Sequence, residues 1–145
     1  MLKVIPVLPV LLLAAACTDP FVVIPGGKLQ GEITAIPEDW GVVPEVIQLE
    51  VRPDNPYSVN IWGLADNGNL YVATQDAKWA PMITADERVR VRIEDSLYEL
   101  KATRVQDERE IANVVESYAR KYNMDPNDGS WAETGQVFRL TARNR

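Results

Sequence analysis

Residues 57–74, YSVNIWGLADNGNLYVAT, contain two apolar segments separated by the turn sequence DNGN at 66–69. Asn-Gly is a pair favoured in tight hairpin turns, because the turn positions need a positive φ. The stretch therefore predicts two antiparallel strands, at 57–65 and 70–74. The fold prediction is built outward from this hairpin.

The flanking segments predict further strands and two helices. Apolar alternation or apolar runs mark strands at 28–35, 46–52, 89–93, 97–105 and 136–143. A short helical turn interrupted by Pro81 is predicted within 75–86. A longer helix begins after Asp107, where Glu110 completes a capping-box pattern. Its apolar face contains Ile111, Val114, Val115, Tyr118 and Tyr122.

The element order β-β-β-β-α-β-β-α-β predicts a mainly β (α+β) domain. Antiparallel strands that follow one another in sequence can pair as a meander. Since closing such a sheet removes its exposed edges, the expected architecture is a small closed or partly closed barrel with one short and one long helix.

The residue counts exclude several kinds of site. The chain has 145 residues, one cysteine and no histidine. A Ser-His-Asp triad, a Cys-His pair, a histidine-ligated metal and a four-cysteine cluster all need residues that this chain lacks. The segment DPNDG at 125–129 fails the EF-hand register, because Pro126 falls at a ligand position, so a surface turn and no metal site is predicted.

The amino terminus has the pattern of a secretory signal peptide. Lys3 is followed by an uncharged apolar run at 4–16 that ends in three alanines. A membrane-spanning helix needs roughly 17–25 such residues, so this run is too short to span a bilayer. Residues 1–16 are therefore predicted to be removed.

The lone cysteine follows that run directly. Leu13-Ala14-Ala15-Ala16-Cys17 resembles the lipobox of bacterial lipoproteins, which implies a diacylglyceryl group on Cys17 and cleavage in front of it. Thr18 at the next position resembles the class sent to the outer membrane of Gram-negative cells. The resemblance thus implies a lipid-anchored envelope protein facing the periplasm. The alternative is an ordinary signal peptide with an accidental cysteine at the cleavage site.

The mature chain divides into a tether and one acidic domain. Residues 17–27 form the lipidated cysteine and tether, although the apolar residues 21–24 are also consistent with an edge strand, and 28–145 form the domain. Without residues 1–16 the chain has 14 basic and 21 acidic residues and a net charge of −7. An acidic domain gains no counterion-release affinity for phosphate backbones, so nucleic acid is not an expected partner.

One candidate for ligand contact is a tryptophan on a predicted strand. Strand alternation places Trp62 with Ser58 and Asn60, opposite Val59 and Ile61, so Trp62 is the best pocket residue of the four tryptophans. The other three are expected to pack in the core or at the barrel mouth.

Three arginines share one face of a predicted strand. These are Arg88, Arg90 and Arg92. They could clamp an anionic ligand or lipid headgroup, or they could form ion pairs with Glu94, Glu99 or Glu108.

The order of elements over residues 57–122 resembles the split β-barrel superfamily of pyridoxamine-phosphate-oxidase-like and flavin- or deazaflavin-dependent nitroreductase-like proteins. The resemblance rests on the strand, Asn-Gly hairpin, second strand, Lys78 with its short apolar helix, two further strands and the final helix. It implies a split β-barrel, with FMN or a deazaflavin as the cofactor and a homodimer as the assembly.

The resemblance also implies where a cofactor phosphate would lie. The matching positions are Thr74, Gln75 and Lys78, with Trp79 nearby, and a hydroxyl, an amide and an ammonium can all contact a phosphate. The same turn carries Asp76, whose charge opposes a phosphate. A polar turn with a solvated lysine is therefore the alternative.

Two functions from different classes remain. The first is a lipid-anchored cell-envelope protein whose split-barrel domain is a non-catalytic binding or accessory module for an unidentified small molecule. The second is a flavin- or deazaflavin-dependent oxidoreductase of the nitroreductase-like type.

The anchor prediction is tested by the substitution Cys17→Ser. Removing the thiol removes the acyl attachment point, so we expect the protein to move from the membrane fraction to the soluble fraction, as measured by fractionation and immunoblotting. Retention of the variant in the membrane fraction would contradict lipid anchoring.

Overall fold

The residues that the structure describes form seven strands and two helices. The computed structural model describes residues 26–125, 127, 131 and 135–144. The elements are β1 (Glu32–Ile33), β2 (Val46–Val51), β3 (Tyr57–Asp66), β4 (Asn69–Thr74), α1 (Trp79–Ala85), β5 (Arg88–Ile93), β6 (Ser96–Arg104), α2 (Glu108–Lys121) and β7 (Gln136–Ala142). The predicted signal peptide, Cys17 and most of the tether lie outside the described residues, as does most of the turn at 125–129.

Six of the strands close into a barrel. The strand order is β1-β6-β5-β2-β3-β4-β7, and β7 also pairs with β6. Every pairing around the barrel is antiparallel, whereas β1 lies parallel to β6. The structure therefore confirms the predicted small antiparallel barrel with one short and one long helix.

The hairpin at the centre of the prediction forms as expected. Asp66 pairs with Asn69 across the turn, and the two turn residues, Asn67 and Gly68, have φ values of 47° and 75°. A left-handed residue also ends β2 one position earlier than predicted, because Arg52 has a φ of 52°. Such a backbone cannot continue an extended strand.

Two other predicted boundaries were wrong for identifiable reasons. The strand expected at 28–35 shrinks to Glu32–Ile33, since the Leu29 amide donates to the Glu50 carboxylate at 2.6 Å and not to a neighbouring strand. The helix α1 is not interrupted by Pro81. Pro81 lies in its first turn, where a proline removes no helical hydrogen bond.

The apolar residues separate into a barrel core and a smaller cluster under α2. The barrel core includes the fully buried Leu49, Leu70, Val91 and Leu140. In the outer cluster, Val114 and Tyr118 of α2 pack against Leu64, Tyr71 and Val137. The helix thus covers the outer face of β3, β4 and β7.

The prediction of a capping box at the start of α2 is correct for Asp107 but not for the Glu110 side chain. The Asp107 carboxylate accepts a hydrogen bond from the Glu110 amide at 2.8 Å, as predicted. The Glu110 side chain instead reaches the barrel, where it accepts bonds from Tyr71 Oη at 2.8 Å and Arg139 Nη1 at 2.6 Å. Burial, and then the bond to Glu110, raise the pKa of Tyr71 to about 12. Glu110 therefore attaches the helix to two strands.

The arginine stripe on β5 forms ion pairs, as one of its two interpretations predicted, but with other partners. Arg88 contacts Asp54 and Asp86, and Arg92 contacts Asp95 at 3.7 Å. Arg90 forms a two-pronged pair with Glu50, through Nε to Oε1 and Nη2 to Oε2, both at 2.8 Å. All three arginines thus form ion pairs with carboxylates of the same domain.

The Glu50–Arg90 pair is buried beneath the amino-terminal segment. Glu50 is 1% exposed and the Arg90 side chain 11%. Arg90 Nη2 also donates to the Leu29 carbonyl at 3.2 Å, so backbone groups at Leu29 complete the pair on both sides. The ion pair therefore holds the backbone of Leu29 against the barrel.

We expect Glu50→Gln to lower the free energy of unfolding by about 3–5 kcal/mol, because the Arg90 charge stays buried after its counter-charge is removed. Urea unfolding followed by tryptophan fluorescence measures the loss. Asp54→Asn is the matched control, since it removes a carboxylate from an exposed arginine pair and should leave stability unchanged. Equal effects of the two substitutions would contradict this role for the buried pair.

Candidate functional site

The barrel wall opens where β3 and β4 separate. Their pairing runs from Asp66↔Asn69 to Gly63↔Val72 and then stops. Beyond that point β4 stays paired with β7, through Ala73↔Val137 and Thr74↔Gln136, while β3 stays paired with β2. We call the resulting gap between residues 58–62 of β3 and residues 73–74 of β4 the split.

A cavity of about 360 Å³ occupies the split. Its size falls within the range of small-molecule sites. Its lining is mainly apolar and aromatic and consists of Asn60, Ile61, Trp62, Ala73, Thr74, Gln75, Asp76, Ala77, Trp79, Tyr118, Met124 and Trp131. Three of the four residues predicted to contact a cofactor, Trp62, Thr74 and Gln75, are therefore together at one cavity.

The fourth predicted residue, Lys78, does not line this cavity. It is exposed and immediately precedes α1, with a helical φ of −55° and ψ of −31°. Asp76 is the charged residue among the lining positions. Within the part of the chain that the structure describes, no lysine or arginine lines the split.

A threonine side chain in the turn between β4 and α1 bonds to the backbone of the same turn. Thr74 Oγ1 accepts a hydrogen bond from the Ala77 amide at 3.0 Å. Thr74 keeps one donor for a ligand, but the amide that could have met an anion is already bonded. With Asp76 beside it and Lys78 outside the lining, this turn does not fit a cofactor phosphate, which needs convergent donors and positive charge.

Tyr118 closes the end of the split where the strands begin to separate. Its hydroxyl lies 3.2 Å from the carbonyl oxygens of Trp62 on β3 and Tyr71 on β4. Burial raises the pKa of the Tyr118 phenol well above 10. The hydroxyl therefore stays protonated and bridges the two strands at the fork.

The last residue of α2 and the C-cap residue after it also contact β3 near this point. The ring of Tyr122 stacks on Trp62, with centroids 4.3 Å apart and an interplanar angle of 7°. Lys121 Nζ donates to the carbonyl oxygens of Val43, Pro44 and Gly63 at 2.8–3.0 Å. Burial lowers the pKa of Lys121 and raises that of Tyr122. The end of the helix thus fixes the Trp62 side of the cavity.

The sequence did not indicate these roles of α2. The helical spacing placed Tyr118 and Tyr122 on a buried face, which the structure confirms, but spacing does not show what a hydroxyl bonds to. Lys121 lies beside that face, and nothing in the sequence pattern indicated its bonds to backbone carbonyls. A buried tyrosine needs a hydrogen-bond partner, so the requirement was predictable although the partner was not.

The tryptophans otherwise pack as expected. Trp79 is buried in the barrel core against Phe138, with ring centroids 5.7 Å apart, and Trp40 meets Tyr98 edge-on at 4.8 Å. Trp131 lies 5.8 Å from the Tyr118 ring at the outer side of the cavity. Trp62 alone of the four belongs to a strand that borders the split.

Neither a metal centre nor a membrane-spanning helix is found in the described residues. They contain no group of three or more His, Cys, Asp or Glu side chains that could hold a metal ion. No helix within residues 26–125 or 135–144 is long and apolar enough to cross a bilayer.

Comparison with known proteins identifies the architecture. No protein-family model matches the sequence, and no curated protein matches it. Among solved structures, a conserved hypothetical protein from Mycobacterium tuberculosis matches with a TM-score of 0.59 and 19% identity over 70% of this chain and 74% of its own. The chain has the split-barrel fold.

Two other split barrels bind redox cofactors according to their descriptions. A FAD-binding protein from Mesorhizobium loti has a TM-score of 0.54 and 14% identity over 70% of this chain and 83% of its own. An F420-H2 dependent reductase has a TM-score of 0.54 and 13% identity over 69% of this chain and 96% of its own. A domain-swapped dimer is also among the matches. At these identities the likeness concerns the fold.

We expect Tyr118→Phe to lower the free energy of unfolding at pH 7 by about 1–2 kcal/mol, because two carbonyl groups at the fork lose their donor. The sign of the pH dependence follows from the raised pKa. The unfolded chain loses the phenol proton near pH 10, whereas the folded chain keeps it, so the stability present below pH 10 declines as the pH rises further.

Urea unfolding at pH 7 and pH 11 measures both effects. Tyr118→Phe should show the smaller loss of stability between these two values, since it removes one titrating phenol. Tyr98→Phe is the control, because the Tyr98 ring packs on Trp40 and the described residues offer its hydroxyl no hydrogen bond. An unchanged alkaline profile for Tyr118→Phe would contradict the assignment.

Proposed function

We propose that this protein is a lipid-anchored cell-envelope protein whose split barrel is a non-catalytic binding module. The ligand is a small planar molecule, neutral or cationic, held in the split. The observation that carries the proposal is the charge of the lining: among the described residues, the charged side chain at the cavity is a carboxylate, Asp76, and the rest are aromatic, apolar or neutral polar.

The lining favours a ring and disfavours a phosphate. Trp62 and Trp131 supply aromatic surface, and Asn60 and Gln75 supply amides that can hydrogen-bond a heterocycle. A carboxylate close to a phosphate dianion costs roughly 1 kcal/mol in a solvated site, which is about fivefold in affinity. The split would therefore accommodate a flavin ring better than the phosphate group of FMN.

The protonation chemistry around the split supports a binding role. Residues 28–145 contain neither histidine nor cysteine. The phenol of Tyr118 donates its hydrogen bonds to the barrel backbone, and its raised pKa makes it a poor proton donor. The side chains that border the cavity are thus suited to holding a ligand.

The second candidate is a flavin- or deazaflavin-dependent oxidoreductase. It is favoured by the likeness to the FAD-binding protein and the F420-H2 dependent reductase, and it would require Thr74, Gln75 and Lys78 to hold a phosphate. The matched domain-swapped dimer also supports testing this chain for a homodimer, for which light scattering is the direct measurement.

Riboflavin and FMN distinguish the two candidates, because they share one ring system and differ by a phosphate. We expect the purified protein to quench riboflavin fluorescence at lower ligand concentrations than FMN, by about threefold to tenfold, with the difference shrinking at high salt. Asp76→Asn should narrow this preference by strengthening FMN binding alone. Lys78→Gln is the control and should change neither affinity.

The opposite pattern would support the oxidoreductase. A protein purified with a bound yellow cofactor, or one that binds FMN more tightly than riboflavin and loses that preference in Lys78→Gln, would contradict the binding-module proposal. Failure of both probes to bind would contradict the planar-ring ligand.

A further inference from the structure

A row of polar side chains crosses the outer face of the barrel and ends at the split. Arg92 on β5 lies opposite Gln48 on β2, and Gln48 lies opposite Asn60 on β3. Residues directly opposed on neighbouring strands carry their side chains on the same face. Leu49 and Val59, the neighbours along β2 and β3, belong to the barrel core, so this face is the outer one. We call Arg92, Gln48 and Asn60 the polar row.

Two side-chain hydrogen bonds join the polar row. Arg92 Nη1 donates to Gln48 Oε1 at 3.4 Å, and Gln48 Nε2 donates to Asn60 Oδ1 at 3.2 Å. The turn after β5 also holds the arginine, since Arg92 Nε donates to the Glu94 carbonyl at 2.8 Å and Nη2 lies 3.7 Å from the Asp95 carboxylate. The guanidinium at the far end of the row is thus anchored by groups other than Gln48.

The chemistry of arginine sets the direction of both bonds. A guanidinium group has donors and no acceptor, whereas a glutamine amide has an oxygen on one side and an NH2 group on the other. Gln48 lies between Arg92 and Asn60, so its oxygen must face Arg92 and its NH2 group must face Asn60. A reversed Gln48 would set its NH2 group against a guanidinium that cannot accept a hydrogen bond. Asn60 must therefore accept through Oδ1.

This arrangement leaves the NH2 group of Asn60 for the cavity. Of the three residues in the polar row, Asn60 is the one that lines the split. Within the described part of the chain, no acceptor bonds to Asn60 Nδ2. A ligand that places an acceptor there gains a hydrogen bond, whereas one that places an amino group there sets donor against donor.

We infer that Asn60 is a specificity-determining residue of the split, that Gln48 and Arg92 are positioning residues that fix its NH2 group as a donor, and that the ligand ring carries a carbonyl oxygen at this edge. This inference rests on the proposed function and narrows its ligand. Asp76, an acceptor at the same cavity, favours a ring that also carries an N–H group. The ligand class is therefore a planar lactam or imide.

Quenching of tryptophan fluorescence by two flat three-ring probes tests this selection. Riboflavin carries an imide edge, whereas phenazine has a similar outline without carbonyl or N–H groups. We expect Asn60→Ala to weaken riboflavin binding by about threefold to tenfold, the loss for one hydrogen bond, and to leave phenazine binding unchanged. An equal loss for both probes would contradict a hydrogen-bonding role for Asn60.

The substitution Gln48→Glu tests the positioning role from outside the cavity. A carboxylate accepts from Arg92 and can only accept from Asn60, so Asn60 would turn its NH2 group toward position 48 and present Oδ1 to the ligand. Riboflavin binding should then weaken by about tenfold, because two acceptors face each other, while phenazine binding stays unchanged.

Two further variants show whether Gln48 acts through Asn60. In protein that already carries Asn60→Ala, Gln48→Glu should cause no additional loss, which is the coupling expected for residues that act as a unit. Gln106→Glu makes the same charge change at an exposed position and should alter neither affinity. Additive effects at positions 48 and 60 would overturn the positioning role.

The side-chain amide signal of Asn60 in nuclear magnetic resonance spectra gives a readout that needs no ligand. In Gln48→Glu this signal should shift, because the Asn60 NH2 group gains a carboxylate acceptor. An unchanged signal, or unchanged riboflavin affinity in Gln48→Glu, would overturn the inference. A shifted signal in a protein whose wild type does not bind riboflavin would contradict the proposed function and the ligand class, but would support the fixed direction of Asn60.

Discussion

Pairing of β7 with β4 on one side and β6 on the other closes the barrel, and the cavity lies where this closed wall leaves β3 and β4 unpaired. β4 follows β7 through Thr74 but leaves β3 after Val72. The gap between these two strands is the split. It also brings residues from β3, β4 and the turn before α1 to one place without any of them being close in sequence.

Polar side chains, and not apolar packing alone, contact the backbone around that gap. Where two strands part, their carbonyl and amide groups lose ladder partners, and a buried unpaired group is costly. The Tyr118 hydroxyl lies 3.2 Å from a carbonyl oxygen on each separating strand, while Lys121 donates to the Gly63 carbonyl on the β2 side of β3. The end of helix α2 thus supplies side-chain donors to backbone carbonyls near the fork. On the adjacent strands β2 and β5, the buried Glu50–Arg90 pair bonds both backbone groups of Leu29.

The sequence was most informative where the decisive interactions were local. The Asn67-Gly68 turn, the Asp107 cap and the apolar alternation of the strands depend on neighbours in the chain, and the structure confirms them. The strand predicted at 28–35 was wrong because a carboxylate on β2 takes the Leu29 amide, a partner that no local pattern reveals. Strand alternation predicted Trp62 as a pocket residue and the fold resemblance predicted Thr74 and Gln75, whereas the exposed position of Lys78 depends on the conformation of the turn after β4.

The split shows how one architecture can hold different ligands through a few side chains at its rim. The strands supply a cavity with aromatic walls irrespective of what binds, so selectivity must come from the turn after β4 and from the edge of β3. In this chain the turn contributes the carboxylate of Asp76, and the Ala77 amide already donates to Thr74 Oγ1. An anionic ligand would thus meet repulsion where it needs donors. A ligand that uses only ring stacking and amide hydrogen bonds would meet no charge repulsion and would not need the Ala77 amide. The side chains at the rim therefore restrict which ligands can bind, whereas the fold alone does not.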